Sequence, residues 1–290
     1  MAARILDGRA LANELRGELA RDVAALGARG VVPRLLVIMV GEDESSLAYV
    51  RGMRSLGAKI GVEVEVEILP RSVDEAGVRA ALARTAADPA VHGVILQQPL
   101  PAHLSIREIA SAVPADKDVD GANPKNQGRL AFATGARFIP ATPAAVMLLL
   151  ERSRAWPLRG RDVTVIGRSN VVGLPVSLLM MAQDATVTVT HKETLDIVSF
   201  VRRAEIVVVA AGAPHLVTAD WLRPGAVVID VGTTVVDGKL LGDVDFASAV
   251  EVAGEITPVP GGVGPVTNVA LMRNVVSAAA EATAEKLSLR

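Results

Sequence analysis

The sequence contains no cysteine, which excludes disulfides, thiol nucleophiles and thiolate metal sites together. Aromatic residues make up only 2% of it, and Tyr49 is the single tyrosine. No apolar run reaches the roughly 20 residues that a membrane-spanning helix needs. Charge runs are missing too: Lys and Arg are scattered and the formal net charge is -2, so neither nucleic acid nor an anionic membrane is expected as a partner. The first 26 residues carry acidic side chains throughout and read as an amphipathic helix, unlike a signal peptide with its continuous apolar core. His191 and His215 have no i,i+4 histidine partner and no carboxylate cluster beside them, so no metal site is expected. A soluble, cytoplasmic protein acting on a small molecule is the expectation.

What is present is half apolar by composition, enough for two modest domains or one large one across 290 residues. Strand-like runs at 34–40, 62–69 and 91–97 alternate with helical stretches at about 45–59 and 73–86. The resulting β-α-β-α-β pattern implies a parallel sheet covered by helices on both faces. The pattern recurs in strand-like runs at 163–167, 185–191, 205–212 and 226–232, as a nucleotide-binding unit would. Between the halves, Asp116 to Pro143 is rich in Gly, Pro, Asn and Asp, which favours turns over regular elements and marks a boundary. The last twenty or so residues are again helical by pattern and can return to pack on the first domain. The expected fold is therefore α/β, with residues 1–140 and 270–290 in one domain and 141–269 in a doubly wound, Rossmann-like domain.

Residues Gly167 to Gly173 follow the buried-type strand and precede a helical stretch. That is the setting of a phosphate-binding turn: small residues admit a pyrophosphate, and the helix N-terminus supplies free N–H groups. The spacing departs from G-x-G-x-x-G, so a tight strand-to-helix turn without a ligand is the competing reading. The next strand ends Thr190-His191-Lys192, where an NAD-selective enzyme often carries an acid. Arg168 and Lys192 can instead face a 2'-phosphate, which favours NADP, although Glu193 adjoins them and an ordinary solvated lysine is the alternative.

The chain resembles the methylenetetrahydrofolate dehydrogenase/cyclohydrolase family along essentially its whole length. The resemblance is carried by Val40-Gly41, Tyr49-Val50, Gln97-Gln98-Pro99-Leu100-Pro101, Asp116 to Gly121, Gly128-Arg129-Leu130 and Pro140 to Pro143. It continues through the Gly167 turn, Ile229 to Gly232, and Thr257 to Thr267, whose prolines and glycines shape a loop that no core-packing need demands. The family implies two α/β domains flanking a cleft, usually in a homodimer. The N-terminal domain with the C-terminal helix holds the tetrahydrofolate one-carbon derivative, and the second domain holds NADP. Its bifunctional members, at work in one-carbon metabolism, combine oxidoreductase and hydrolase activities, oxidising 5,10-methylenetetrahydrofolate and hydrolysing the methenyl product to 10-formyltetrahydrofolate.

Carried over by position, the resemblance makes Tyr49 the residue that stacks on and orders folate, Gln97 one that tunes the catalytic position, and Asp120 the grip on the pterin. It adds Pro260, Gly261 and Gly262 to the substrate side. To the cofactor it assigns Gly167, Arg168, Ser169, Val171, His191, Lys192, Gly212, Gly232 and Thr233. The roles suit the chemistry: a carboxylate accepts from adjacent N–H donors, and a tyrosine offers a flat face with a polar end. A turn or N-cap role for Asp120 and a core role for Tyr49 are the competing readings.

The departures centre on the helix that in the family reads Y-V-x-x-K-x-K. Here it reads Tyr49-Val50-Arg51-Gly52-Met53-Arg54-Ser55, with neither lysine. Positions 49 and 53 share a helix face, so Met53 should reach the same cleft as Tyr49. Arg54 and Lys59 point away from it. Hydride transfer requires no proton from the protein, whereas hydrolysis requires a group of tunable pKa. The expectation is thus a dehydrogenase whose cyclohydrolase activity is weak or absent. A bifunctional enzyme and a non-catalytic folate- or NADP-binding protein remain open. Ala122, Asn123, Ala145 and Asn268 also depart from the family and, with Met53, suggest a reshaped pocket.

Overall fold

A computed structural model describes residues 2–132 and 137–288, with side chains to residue 283 apart from Ser45. Residues 133–136 of the turn-rich segment lie outside the described residues. In chain order the elements begin with β1 (Arg4–Ile5), α1 (Gly8–Gly27), β2 (Arg34–Val40), α2 (Glu44–Ile60), β3 (Glu63–Leu69), α3 (Glu75–Ala87) and β4 (Gly93–Leu96). Next come α4 (Ile106–Ile109), α5 (Pro124–Ala131), α6 (Ala141–Glu151), β5 (Asp162–Ile166), α7 (Gly173–Met181), β6 (Thr186–Thr190), α8 (Ile197–Arg203) and β7 (Ile206–Val209). Last are β8 (Val227–Asp230), β9 (Thr234–Val236), β10 (Lys239–Leu241), α9 (Phe246–Ala249), β11 (Glu255–Ile256) and α10 (Val263–Ser288).

The chain forms two compact α/β units, Glu14–Ala141 with Asn268–Arg290, and Met1–Asn13 with Thr142–Thr267. In the first, three parallel strands run in the order β3-β2-β4. The central β2 is almost continuously apolar because both its faces are covered. β3 alternates, and its Glu63 and Glu65 face solvent as an edge strand allows. Ile38, Val78, Leu82, Val94 and Ile109 join sheet and helices into one core. The C-terminal part of α10 packs on this unit. A Cβ on Gly93 would come within 3.3 Å of Val275, and Asn274 Nδ2 donates to the carbonyls of Val119 and Ile139, each at 2.8 Å.

The second unit is a six-stranded, fully parallel sheet in the order β1-β11-β8-β7-β5-β6. This is the doubly wound Rossmann-like arrangement. The chain leaves β5 for β6 on one side and returns to β7 on the other, so the topological switch lies at the carboxyl ends of β5 and β7. Val207, Val209, Val228 and Ile256 fill its interior.

Two expectations change. Residues 1–13, grouped by sequence with the first domain, belong to the second unit, because β1 pairs in parallel with β11 through Arg4↔Glu255 and Ile5↔Ile256. The segment read as turns contains α5, which forms because Asn123 caps it, accepting from Lys125 N at 2.7 Å, and Pro124 occupies the first helical position. Among the described residues no helix is long and apolar enough to cross a membrane, and no group of three or more His, Cys, Asp or Glu is placed to hold a metal.

Candidate active site

In the three-stranded unit the switch lies at the carboxyl ends of β2 and β4, and the segments leaving those strands carry the candidate side chains. Gln97 continues β4, its N–H donating to Ile38 O at 2.8 Å, and its Nε2 donates to Gln98 O at 2.6 Å. Asp120 sits in a turn built by Asp118. The Asp118 carboxylate is buried and accepts from Ala122 N (2.9 Å), Asn123 N (2.8 Å) and Asn126 Nδ2 (2.8 Å). Gly121 closes the turn at φ 65°, where a Cβ would lie 2.9 Å from Pro140. Burial pushes Asp118 up to about 6, and its three donors oppose the shift.

Asp120 itself has no hydrogen bond or ion pair among the described residues. Burial, with the neighbouring Asp118 charge, pushes its carboxyl up to about 7. Burial also pushes the Tyr49 phenol up, and Asp120 adds to that shift. An acceptor without a donor is thus near enough to the half-buried Tyr49 to act on its phenol.

Met53 is fully buried. It belongs to the inner stripe of α2, Ser46, Val50, Met53, Gly57 and Ile60, while Tyr49 and Gly52 lie at the margin of that stripe and Arg54 and Lys59 are exposed. The cleft-facing position expected from helical spacing is therefore packed away. Without an ammonium to keep at the surface, an unbranched apolar side chain settles into the core. Asn123, suspected of reshaping a pocket, is committed to the α5 cap and to Val113 O, to which its Nδ2 donates at 2.7 Å.

The Rossmann-like unit carries the candidate dinucleotide turn. Gly167 has φ 116°, and a Cβ there would fall 2.1 Å from Ala210 O, at the end of β7. A Cβ on Gly173, the first residue of α7, would fall 2.1 Å from Gly167 O. These glycines bring turn, helix end and neighbouring strand closer than any side chain permits. Arg168, Ser169 and Val171 are exposed on the turn, and Ser169 Oγ accepts from Val172 N at 3.1 Å. At the end of β6, His191 is partly buried and its Nδ1 accepts from Glu193 N at 3.2 Å. Lys192 pairs with Glu193 at 3.7 Å, both highly exposed, a pairing of little energetic weight that leaves the ammonium free to move.

Gly212 and Gly232 are joined by a carboxylate pair that the sequence did not reveal. Asp243 Oδ2 accepts from Ala211 N (2.7 Å) and Gly212 N (2.8 Å). Asp230 accepts from Gly232 N (2.9 Å), Asp243 N and Val244 N (both 3.0 Å). Both acids are buried; burial pushes Asp230 up to about 6 against the pull of those backbone donors, and the Asp243 charge adds to the rise. Glycine at 232 and 242 is the one trace in sequence, since a Cβ at either would collide with one of these carboxylates. Thr233 follows, exposed. The Pro260-Gly261-Gly262 loop belongs to this unit, not to the one carrying Tyr49, Gln97 and Asp120. It starts from Thr257, whose Oγ1 accepts from Asp230 N at 2.8 Å, and it closes so tightly that a Cβ on Gly8 would lie 1.8 Å from Gly262 O.

Comparison with known proteins also divides the chain ahead of residue 140. Residues 6–120 match the tetrahydrofolate dehydrogenase/cyclohydrolase catalytic domain, and residues 140–283 match the NAD(P)-binding domain of the same family. The chain is 48% identical over 280 residues to the bifunctional protein FolD of Chloroflexus aggregans, covering 96% of this chain and 98% of the relative. The solved bifunctional FolD of Campylobacter jejuni superposes with a TM-score of 0.94 at 36% identity, over 97% of this chain and 99% of that one. The Trypanosoma brucei enzyme, solved with NADP cofactor and an inhibitor, gives 0.93 at 39% identity over 98% and 99%.

Proposed function

This chain belongs to the tetrahydrofolate dehydrogenase/cyclohydrolase family, and on that premise we propose that it is an NADP-linked 5,10-methylenetetrahydrofolate dehydrogenase that also hydrolyses the methenyl product to 10-formyltetrahydrofolate. The observation that carries the substrate side is Asp120, a half-buried carboxylate with no donor among the described residues, whose charge acts on Tyr49. Adjacent N–H groups of a pterin supply the missing donors, and the phenol ring packs on a flat heterocycle. On the cofactor side, the Gly167–Gly173 approach leaves the start of α7 open to a pyrophosphate, with Arg168 and Lys192 available to a 2'-phosphate.

Bound NADP supplies a hydride acceptor. Oxidation breaks the C–H bond of the folate methylene bridge, both electrons leave with the hydride, and a delocalised amidinium cation remains. The protein orients the donor, and position 53, occupied by methionine, adds no cation to oppose the developing charge. Hydrolysis adds water to that carbon and protonates a departing ring nitrogen. The water that adds supplies that proton, because Asp120 is engaged with the N–H edge of the pterin. A homodimer is part of the same proposal, and the β9–β10 hairpin offers an apolar surface for it in the exposed Val235, Val236 and Leu240.

The expectation of weak or absent hydrolysis finds no support in the relatives, which are named bifunctional. One observation favours dehydrogenation alone as a second reading: the buried Met53 cannot titrate. Supplying 5,10-methenyltetrahydrofolate without cofactor separates the two. The proposal expects enzyme-dependent decay of the methenyl chromophore by the wild type. Decay at the buffer rate, with a gain of about 100-fold or more in Met53→Lys, establishes the second reading.

A further inference from the structure

We propose that Asn268 is a specificity-determining residue whose side-chain amide hydrogen-bonds the folate-class substrate; the inference rests on the substrate assignment above. Asn268 lies in α10, and its Nδ2 is 3.9 Å from the point a Cβ on Gly52 would occupy. Gly52 follows Tyr49 by three residues and precedes Met53, so helical spacing sets the amide against the patch of α2 that Tyr49 borders. Both residues belong to the unit carrying Asp120.

The amide makes no hydrogen bond among the described residues, and its Oδ1 is buried without a partner. A buried carbonyl lacking a donor lowers the stability of the unliganded chain. Either orientation of the amide leaves a polar end unpartnered. An aliphatic residue at 268 would escape this cost beside the apolar stripe of α2. Nothing among the described residues compensates it, and a bound substrate with a polar edge would. The chemistry required is an N–H donor edge that also offers an acceptor, which a reduced pterin and an aromatic amide both present. With no amine at position 53, Asn268 brings a neutral polar group to this part of α2.

Asn268→Val and Asn268→Ala, followed with 5,10-methylenetetrahydrofolate and NADP, test the assignment. The expected result has two parts of opposite sign. Without ligand, Tm rises by about 2–4 °C, because the orphaned carbonyl is gone. The KM for folate substrate rises about tenfold, while kcat and the KM for NADP stay within about twofold, which also shows that the variants fold. A merely structural asparagine gives the reverse, a lower Tm with an unchanged folate KM, and that result overturns the proposal. A wild type that turns over no folate instead overturns the functional reading, so the two failures are distinct.

Discussion

Asp120→Asn is expected to lower dehydrogenase kcat/KM by roughly 10- to 150-fold, corresponding to the about 1.5–3 kcal/mol that a hydrogen bond to a charged group contributes. The carboxylate can accept from two N–H donors at once, whereas asparagine turns one of its two ends into a donor facing donors. Asp120 has no hydrogen bond to protein among the described residues, so the loss falls on the ligand and not on the fold. With the carboxyl held near 7, kcat/KM of the wild type falls about tenfold per pH unit below that value, and the asparagine variant loses this limb. Stability follows the same titration with a definite sign. The folded pKa lies above the ordinary 3.8, so the folded chain binds more protons between about 4 and 7. The contribution is fully present below the unfolded value and is lost as pH rises through 7. Tm measured at pH 5.5 and 7.5 should therefore favour the lower pH, by less in Asp120→Asn.

Gly173→Ala is expected to raise the Kd for NADP about 100-fold, the cost of about 1 Å of misplacement at a positioned group. The added Cβ meets the Gly167 carbonyl oxygen at 2.1 Å and Arg168 N at 3.0 Å, both backbone atoms that no rotamer change can move. The first turn of α7 must then swing off the Gly167 turn, taking its free N–H groups with it. Calorimetric titration with NADP checks this. Wild-type affinity in the variant would show that the cofactor does not use this turn.

Much of this was legible in the chain. The apolar run Arg34–Val40 and the strand before Gly167 announce buried parallel strands, and the β-α-β rhythm follows. The candidate dinucleotide turn shows in sequence as small residues between a strand and a helix, although the distances that make glycine necessary at 167 and 173 exist only in three dimensions. What escaped was long-range or aperiodic. β1 is two residues long and pairs with β11 some 250 residues away, so no local pattern marks it. α5 hides in a segment rich in Asn, Pro and Gly because its start is fixed by the Asn123 side chain, not by an apolar stripe. Asp118, Asp230 and Asp243 look like ordinary surface acids until the backbone N–H groups they collect are seen. Helical spacing puts Met53 on the face beside Tyr49, but burial of the stripe from Ser46 to Ile60 decides that it faces inward.

The most direct test mixes the purified chain with 5,10-methylenetetrahydrofolate and NADP and records reduced cofactor and the methenyl chromophore together. Cofactor reduction that requires the folate is expected, with methenyl formed and then consumed faster than in buffer. No reduction of NADP in the presence of the folate, with both ligands still bound, would contradict it and leave a binding protein in place of an enzyme.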